Sequence, residues 1–372
     1  MAAGAGRALG WVTWVGDAGW GEAREIVLRH GWNAVAYQIL NPGMRHWFSR
    51  ERDAVAGYVA FAGVWVVAGA PVCTPERLPH VAMELEATAR SRGDRVLFFG
   101  AGSRLEHHYA ASGNRSLVQL GAQPVWDPAG WAAIVRGKRS LRAQLHRARN
   151  KDVRVDEWSP SRARASGALR DVLAAWLETR GLPPLGFLVS PDLLDTLDDR
   201  RIFVASRGAS VVAFLVATPV PARQGWLVEQ WPRRPEAPNG TTHLMVDAAM
   251  RAFALDGARY VTLGLAPLAE HAGVTFQGQP AWLRGALHWV RAHGRRFYNF
   301  AGLEAFKASL QPTRWEPIFA IAPGTRFTPG MLRAVAGAFS GGSPERLMAR
   351  ALVMAMREER RRLRRTVSGR PP

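Results

Sequence analysis

The sequence predicts a mixed α/β (α+β) fold in which one strand–strand–turn–helix–strand module occurs twice in tandem. Three observations predict it. The uncharged run Ala54 to Thr74, "AVAGYVAFAGVWVVAGAPVCT", is broken by Gly57, Gly63 and Gly69. With a turn at Ala62-Gly63 it reads as a hairpin of two buried strands rather than a membrane-crossing helix. Next come Pro75 and a helical segment, "PERLPHVAMELEATARSRG", which stops at Gly93 before the strand "DRVLFFGAG". The same order then returns. "RIFVASRGASVVAFLVATPV" and "GWLVEQW" supply strands, a proline-rich turn leads into a helix through Asp256, Gly257 stops it, and "ARYVTLGLAP" follows as a strand.

Composition limits the function classes. The 372 residues are 48% hydrophobic, ample for a core, and include 15 tryptophans. The formal net charge of +19 points to a polyanionic partner, either nucleic acid or an anionic membrane surface, unless it only reflects an arginine-rich proteome. A single cysteine, Cys73, excludes an internal disulfide framework and a cysteine-based zinc cluster. It reads as a small packed residue in a reducing, cytoplasmic setting. No basic start followed by a long apolar stretch marks a signal peptide.

The expected organisation is a first module over residues 1–135, a basic linking helix over 136–155, a second, catalytic module over 156–330, and a basic amphipathic helix and tail over 331–372. In the linking segment "RGKRSLRAQLHRARNKDVRV", Lys138, Arg139, Arg142, Arg149 and Lys151 lack nearby carboxylates until Asp152. Such a helix is either a polyanion-binding surface or a solvated face. The tail, "SPERLMARALVMAMREERRRLRRTVSG", reads either as a helix lying on anionic lipid or as one docked on the body with a frayed arginine end.

No P-loop, HExxH, GxSxG or GxGxxG signature occurs. "HHYAASG" lacks the aspartate of the HHxxxDG condensing signature, since Ser112 stands in its place. The stretch "RRPEAPNGTTHLMVDAAM" is the better candidate, because a turn delivering a helix N-terminus can hold an anion. Just before it, Glu229 closes a strand and is placed to grip an ammonium group. Arg233 and Arg234 are able to contact phosphate, and Asn239, Gly240 and Asp247 belong to the turn and helix. A third dense region, "RRFYNFAGLEAFKASLQPTRWEPIFAIAP", carries Tyr298, Asn299, Lys307, Arg314 and Trp315. By default Lys307 is a solvated lysine.

The strand–turn–helix–strand order is that of GCN5-related N-acetyltransferases. There the turn is glycine-rich and its amides hold the pyrophosphate of coenzyme A. Here "PRRPEAPNG" offers one glycine and three prolines, which carry no amide donor, so coenzyme A is not expected.

Longer stretches resemble the C-terminal domain of phosphatidylglycerol lysyltransferases: "GWNAVAYQILNPGMRHWFS", "VVAGAPV", "RGKRSLRAQLHRARNKDVRV", "APNGTTHLMVDAAMRAFALDGARYVTLGLAPL" and "RFYNFAGLEAFKASLQPTRWEPIFAIAP". The resemblance spans roughly residues 16 to 325. It implies a tandem acetyltransferase-like fold that passes an amino acid from aminoacyl-tRNA to phosphatidylglycerol, without a cofactor or metal. The membrane-embedded half of the full-length enzymes has no counterpart here, so the chain is expected to meet the inner face of the membrane peripherally or to use a soluble acceptor. The family's acidic residue and arginine three positions apart become Glu229 and Pro232, with Arg233 adjacent. His243 stands where relatives carry an acidic residue. The resemblance casts Glu229, Arg233 and Lys307 as catalytic. It casts Asn239, Gly240, Asp247, Tyr298, Asn299, Arg314 and Trp315 as substrate-binding, and the linking helix as the tRNA contact. The competing readings are aminoacyl transfer to a soluble molecule or peptide, acetyl-coenzyme A-dependent acyl transfer, and a non-catalytic module that binds RNA or membrane.

Overall fold

The structure, a computed structural model, describes residues 19–179, 187–188, 193–268, 280–283, 285, 300–341 and 345. The first half contains α1 (Trp20–His30), β1 (Arg45–Phe48), β2 (Val55–Phe61), β3 (Val64–Ala68), α2 (Leu78–Ser91), β4 (Arg95–Ala101), α3 (Ser103–Ala110) and β5 (Arg115–Trp126). Then follow α4 (Trp131–Gly137), α5 (Arg139–Arg149), β6 (Val153–Trp158), α6 (Pro160–Ala165), α7 (Gly167–Glu178), β7 (Arg201–Arg207), β8 (Ser210–Val220), β9 (Gly225–Gln230), α8 (Thr241–Leu255), β10 (Tyr260–Thr262) and β11 (Ala266–Pro267). The described chain closes with α9 (Phe300–Ser309), β12 (Arg314–Pro323) and α10 (Pro329–Phe339).

The fold class is mixed α/β, and the strand–strand–helix–strand order occurs twice, as expected, in β2-β3-α2-β4 and β8-β9-α8-β10. The hairpin expected across Ala54 to Thr74 forms as β2 and β3, and its turn puts Ala62 at φ 51° and Gly63 at φ 73°. Two left-handed residues in a row are what a two-residue hairpin turn needs to match strand twist. The two copies also end their central helices alike. After α2, Gly93 takes φ 80° and the Asp94 amide reaches back to the Ala89 carbonyl at 2.9 Å. After α8, Gly257 takes φ 73° and the Ala258 amide reaches the Phe253 carbonyl at 2.9 Å. Both are glycine caps of the Schellman kind, and each turns the chain straight into the next strand.

One 12-stranded sheet runs through both halves in the order β1-β2-β3-β4-β12-β5-β10-β9-β8-β7-β6, with β11 beside β5. Each half holds a parallel pair, β3 with β4 and β9 with β10, and β5 joins the halves by pairing antiparallel with β10. The sheet shares elements between the halves. β12 inserts between β4 and β5, and Met331, Ala334 and Ala338 of α10 pack with Val55, Val66 and Ala68. Conversely, Trp126, Trp131 and Val135 share a core with Leu244, Met245 and Phe253 of α8. The expected boundaries at 135 and 330 therefore fall inside shared cores rather than at breaks. The linking helix α5 docks on α8 through Leu141, Leu145 and Ala148 and leaves its polar residues outward.

Among the described residues no helix is long and apolar enough to cross a membrane. Cys73 is buried, the packed residue expected, and burial pushes its thiol up to about 12. The arginine-rich tail lies outside the described residues apart from Glu345.

Candidate active site

Parallel strands open a crevice at their carboxyl ends, where side chains of both strands and the following helix converge. In the second half the pairing of β9 with β10 ends at Leu227 opposite Thr262. Beyond that point β9 stays with its other neighbour, because the Phe214 amide reaches the Pro232 carbonyl and the Arg234 amide the Val212 carbonyl, each at 2.9 Å. On the other side Leu263, Gly264 and Leu265 lead off toward β11, with Gly264 at φ 69°. The two strands part here, with Glu229 and Trp231 on one bank and residues 263–265 on the other.

Lys307 of α9 lies on the second bank. Its side chain is buried, at 1% exposure, and Nζ donates to the carbonyls of Gly264 at 2.8 Å and Leu265 at 2.9 Å. It has no carboxylate partner among the described residues. Burial without a counter-charge lowers its pKa to about 7. A neutral amine has two hydrogens and one lone pair. With both carbonyls served, the lone pair remains free to take a proton.

Glu229 occupies the first bank, on the face of the sheet away from α8. Its side chain is 4% exposed and its Oε2 faces Arg200 Nε at 3.4 Å, with Arg200 itself 3% exposed. Arg200 also donates to the Asn41 side-chain oxygen at 3.1 Å and to the Thr196 carbonyl, and its guanidinium lies 4.9 Å from the Tyr37 ring centre. The Tyr37 hydroxyl is shared between the Asp198 carbonyl at 2.6 Å and the Asp199 carboxylate at 3.0 Å. Both halves of the chain thus build this nest. It is incompletely paired: Glu229 Oε1, Asn41 Nδ2 and Thr196 Oγ1 are buried with no hydrogen-bond partner. A buried carboxylate oxygen left bare costs about 1–3 kcal/mol or more. A single 3.4 Å contact does not compensate a buried carboxylate. The arrangement is complementary to a small cationic donor.

An open cleft of about 510 Å³ lies at the start of α8, lined by Gln144 and Arg147 of α5, Trp176 of α7, and Trp231, Arg233, Asn239, Gly240, Thr242, His243 and Phe306. Gly240 is required there twice over. It takes φ 94°, and a Cβ would overlap the Gln144 carbonyl oxygen, so only glycine lets α5 press against the start of α8. The proline-rich turn uses its own amides: Arg234 bonds Val212, Ala237 bonds Arg234, and Thr241 bonds Pro238. Pro232, Pro235 and Pro238 carry no amide donor at all.

The residues expected from the sequence divide between these places. Arg233, Asn239 and Gly240 come together in the cleft, Glu229 lies outside its lining against Arg200, and Lys307 stands at the parting of the strands. Lys307 is not the solvated lysine of the default reading, because α9 turns it inward under β11. Asp247 is a correction. Expected at substrate, it is 2% exposed and accepts from Trp131 Nε1 at 2.9 Å, Arg149 at 3.2 Å and Arg251 at 3.0 Å. Its position on the buried face of α8, three residues from both Leu244 and Met250, makes it the tie between α8, α4 and α5. Arg149 and Arg142 are corrected with it as free RNA contacts. Arg149 is held by Asp247, and Arg142 donates to the Val135 carbonyl at 3.3 Å and to that of Arg136, closing the end of α4. Lys138 is half-buried at the start of α5, while Arg139 and Lys151 are exposed without an ion-pair partner among the described residues. Arg314 and Trp315 lie on β12 outside the cleft lining, and Arg314 is paired with Glu316 at 2.9 Å. Tyr298 and Asn299 fall outside the described residues.

Sequence reasoning missed Arg200, Asn41, Thr196 and Tyr37 around Glu229. It also missed Gln144, Arg147, Trp176, Trp231 and Phe306 in the cleft. Arg147 was discoverable, since it lies on the outward face of the basic helix.

Comparison with known proteins bears on the family and the fold. The family model for the C-terminal domain of phosphatidylglycerol lysyltransferase matches residues 24–322. The C-terminal domain of a putative lysylphosphatidylglycerol synthetase from Agrobacterium fabrum is similar at TM-score 0.73 and 22% identity, over 87% of this chain and 97% of that one. L-PGS from Bacillus licheniformis is similar at TM-score 0.70 and 19% identity, over 88% and 99%. A Bacteroides thetaiotaomicron protein of unknown function follows at TM-score 0.57 and 13% identity, over 82% and 97%. At these identities the structures speak to the fold. No curated protein sequence matches the chain. With the family model covering most of its length, the chain belongs to the phosphatidylglycerol lysyltransferase C-terminal domain family, a transferase family whose named activity is aminoacyl transfer to a phospholipid.

Proposed function

We propose that the protein transfers an amino acid from an aminoacyl-tRNA to the glycerol hydroxyl of phosphatidylglycerol. The observation that carries this reading is the bare, buried Oε1 of Glu229 beside the parted strands. An aminoacyl ester differs from most acyl donors in carrying an ammonium group next to its carbonyl. A preformed carboxylate receptor, its charge only partly met by Arg200, suits that group. An acetyl donor would leave it empty.

The ester is already activated, so the protein has to align the reactants and handle one proton. The acceptor hydroxyl attacks the ester carbonyl while its proton passes to the neutral Lys307 amine. The tetrahedral intermediate then expels the ribose oxygen, which regains that proton from Lys307. A new ester bond forms, the old one breaks, and Lys307 ends as it began. An amine of pKa about 7 is suited to both proton transfers near neutral pH. Arg233, at the mouth of the cleft, and Asn239 are free to contact substrate phosphate or ribose.

The test is transfer of radiolabelled amino acid from charged tRNA to vesicles containing phosphatidylglycerol. Labelled lipid with the wild-type chain, and little with Glu229→Gln, is the expected result. Label appearing only in a soluble acceptor would replace the lipid by that acceptor. Full transfer by Glu229→Gln would remove the ammonium receptor from the account.

A further inference from the structure

The sheet has two edges, and they differ. β1 is four residues long, and a short edge strand is one of the ordinary protections against unwanted pairing. β6 forms the other edge. Its six residues pair with β7 without a register shift, from Val153–Arg207 to Trp158–Ile202, so no bulge turns its free side away. It contains no proline, and no described strand covers it. Its outward backbone donors and acceptors are a template for one more strand.

The side chains along this edge alternate. Val153 is buried and Val155 half-buried, and both pack with the core that α5 and α8 cover. Arg154 and Asp156 stand exposed on the opposite face. Neither has an ion-pair partner among the described residues, whereas Glu157 between Asp156 and Trp158 is held by Arg201 at 2.6 Å. The two border an open groove of about 1320 Å³ that takes in Asp152, Arg207 and Glu236, also exposed and without an ion-pair partner among the described residues. On a chain of net charge +19 this groove is mixed in sign. A polyanion would meet three carboxylates in it. A surface carrying the same charges in reverse order would meet its complement, and an antiparallel copy of β6 is such a surface.

We propose that β6 pairs antiparallel with β6 of a second copy of this chain, about a two-fold axis at Val155. Symmetry and charge together select that register. When two identical strands pair antiparallel about a two-fold axis, one residue must face itself. Centring on Arg154, Asp156 or Glu157 sets like charges face to face. Centring on Val153 opposes Arg154 to Asp152, which has left the strand at φ 58°. Centring on Val155 opposes Arg154 to Asp156 of the second copy and Asp156 to its Arg154, while the two Val155 side chains meet at the axis. Trp158, with the Arg162 guanidinium 3.8 Å from its ring centre, then comes opposite the unpaired Asp152. A six-residue pairing is small, so the dimer is a reversible one. The axis runs through the sheet, so each face stays on its own side. Both copies of α5, the helix that leads into β6, therefore lie on one face.

The experiment is sedimentation velocity of the full chain over a range of concentrations, with charge reversals at the two exposed positions. Wild type should pass from monomer to dimer as concentration rises. Arg154→Asp sets carboxylates opposite one another, and Asp156→Arg sets guanidinium groups opposite one another. Each variant alone should therefore dimerise at least about tenfold more weakly. Mixed in equal amounts, the two should recover the dimer to within about threefold of wild type, because each then meets opposite charge in the other. Recovery on mixing also shows that both variants are folded. Val155→Cys gives a second reading. Residues opposite each other in an antiparallel pair lie about 4.5–5.5 Å apart at Cα, within disulfide reach. Mild oxidation should link this variant to itself, whereas Lys151→Cys, far from the axis, should stay unlinked. The native Cys73 is buried and does not compete. A chain that is monomeric at every concentration would overturn the proposal. So would reversal variants that dimerise as well as wild type, variants that stay monomeric when mixed, or a dimer that links through residue 151 and not through 155. No substrate enters these measurements, so their outcome is separate from that of the transfer assay.

Discussion

The two halves repeat one module, yet their strand–turn–helix notches differ in a way that separates scaffold from working site. In the first half β3 and β4 stay paired from Val64–Arg95 to Ala68–Phe99, and the Gly69 amide adds a 2.7 Å bond to the Phe99 carbonyl beyond the last pair. Asn33 and Val35 crowd Gly69, Arg104 lies on the Trp32 ring, and the remaining cavity is about 20 Å³. In the second half pairing stops after Thr262, the strands part, and the cleft beside them measures about 510 Å³. A duplicated fold needs only one open notch. The closed one then serves as a packed wall and lends strands and helices to the other.

The sharpest way to break this contrast is at Lys307. Lys307→Met should lower transfer by about 10²–10⁴-fold, the usual worth of a positioned acid–base group. The wild-type rate should rise to a plateau through pH about 7, and that limb should vanish in the variant. Stability offers an independent reading of the same residue. The folded pKa lies below the unfolded value, so burial of the ammonium destabilises the fold fully below pH 7. The penalty fades as pH rises from about 7 to about 10.4. Urea midpoints of wild type and Lys307→Met should therefore diverge in wild type's favour across that window.

Glu229→Gln should cost about 10²–10³-fold in transfer, the scale found for removing one electrostatic partner of the reacting group. Gln retains an oxygen for Arg200, so circular dichroism melting should show a fold that persists. A structural role alone would move the melting temperature and the rate together.

Gly240→Ala and Gly69→Ala compare the two notches by stability. Gly240 is left-handed and its Cβ would meet backbone, so about 1–3 kcal/mol of destabilisation is expected in denaturant titration. Gly69 takes φ 71°, but the atoms in the way belong to the Asn33 and Val35 side chains, which can shift, so its loss should be smaller. Smallest of all is Arg104→Gln in the closed notch, which should change transfer less than about threefold if that notch is scaffold.

Much of this fold was legible because its signals are local. Ala62-Gly63 fixes a hairpin, and Gly93 and Gly257 stop helices before strands. Glu229 was recognisable as a carboxylate at a strand end. Its partner Arg200 was not, because the pairing depends on how the residue before β7 reaches past β8 to the end of β9. The insertion of β12 between β4 and β5 has no local signal either, since strand order is decided by contacts hundreds of residues apart. Lys307 looks like any helical lysine until α9 is docked. Asp247 was a missed local cue: spacing of three from Leu244 and Met250 already places it on the buried face.

The central claim is that the second notch recognises the ammonium of its donor through Glu229. It is tested most directly by comparing transfer from aminoacyl-tRNA with transfer from the same tRNA carrying an N-acetylated amino acid. Acetylation should lower wild-type transfer by at least about 10²-fold, and Glu229→Gln should largely lose this discrimination. Equal use of both donors by the wild-type chain would contradict it.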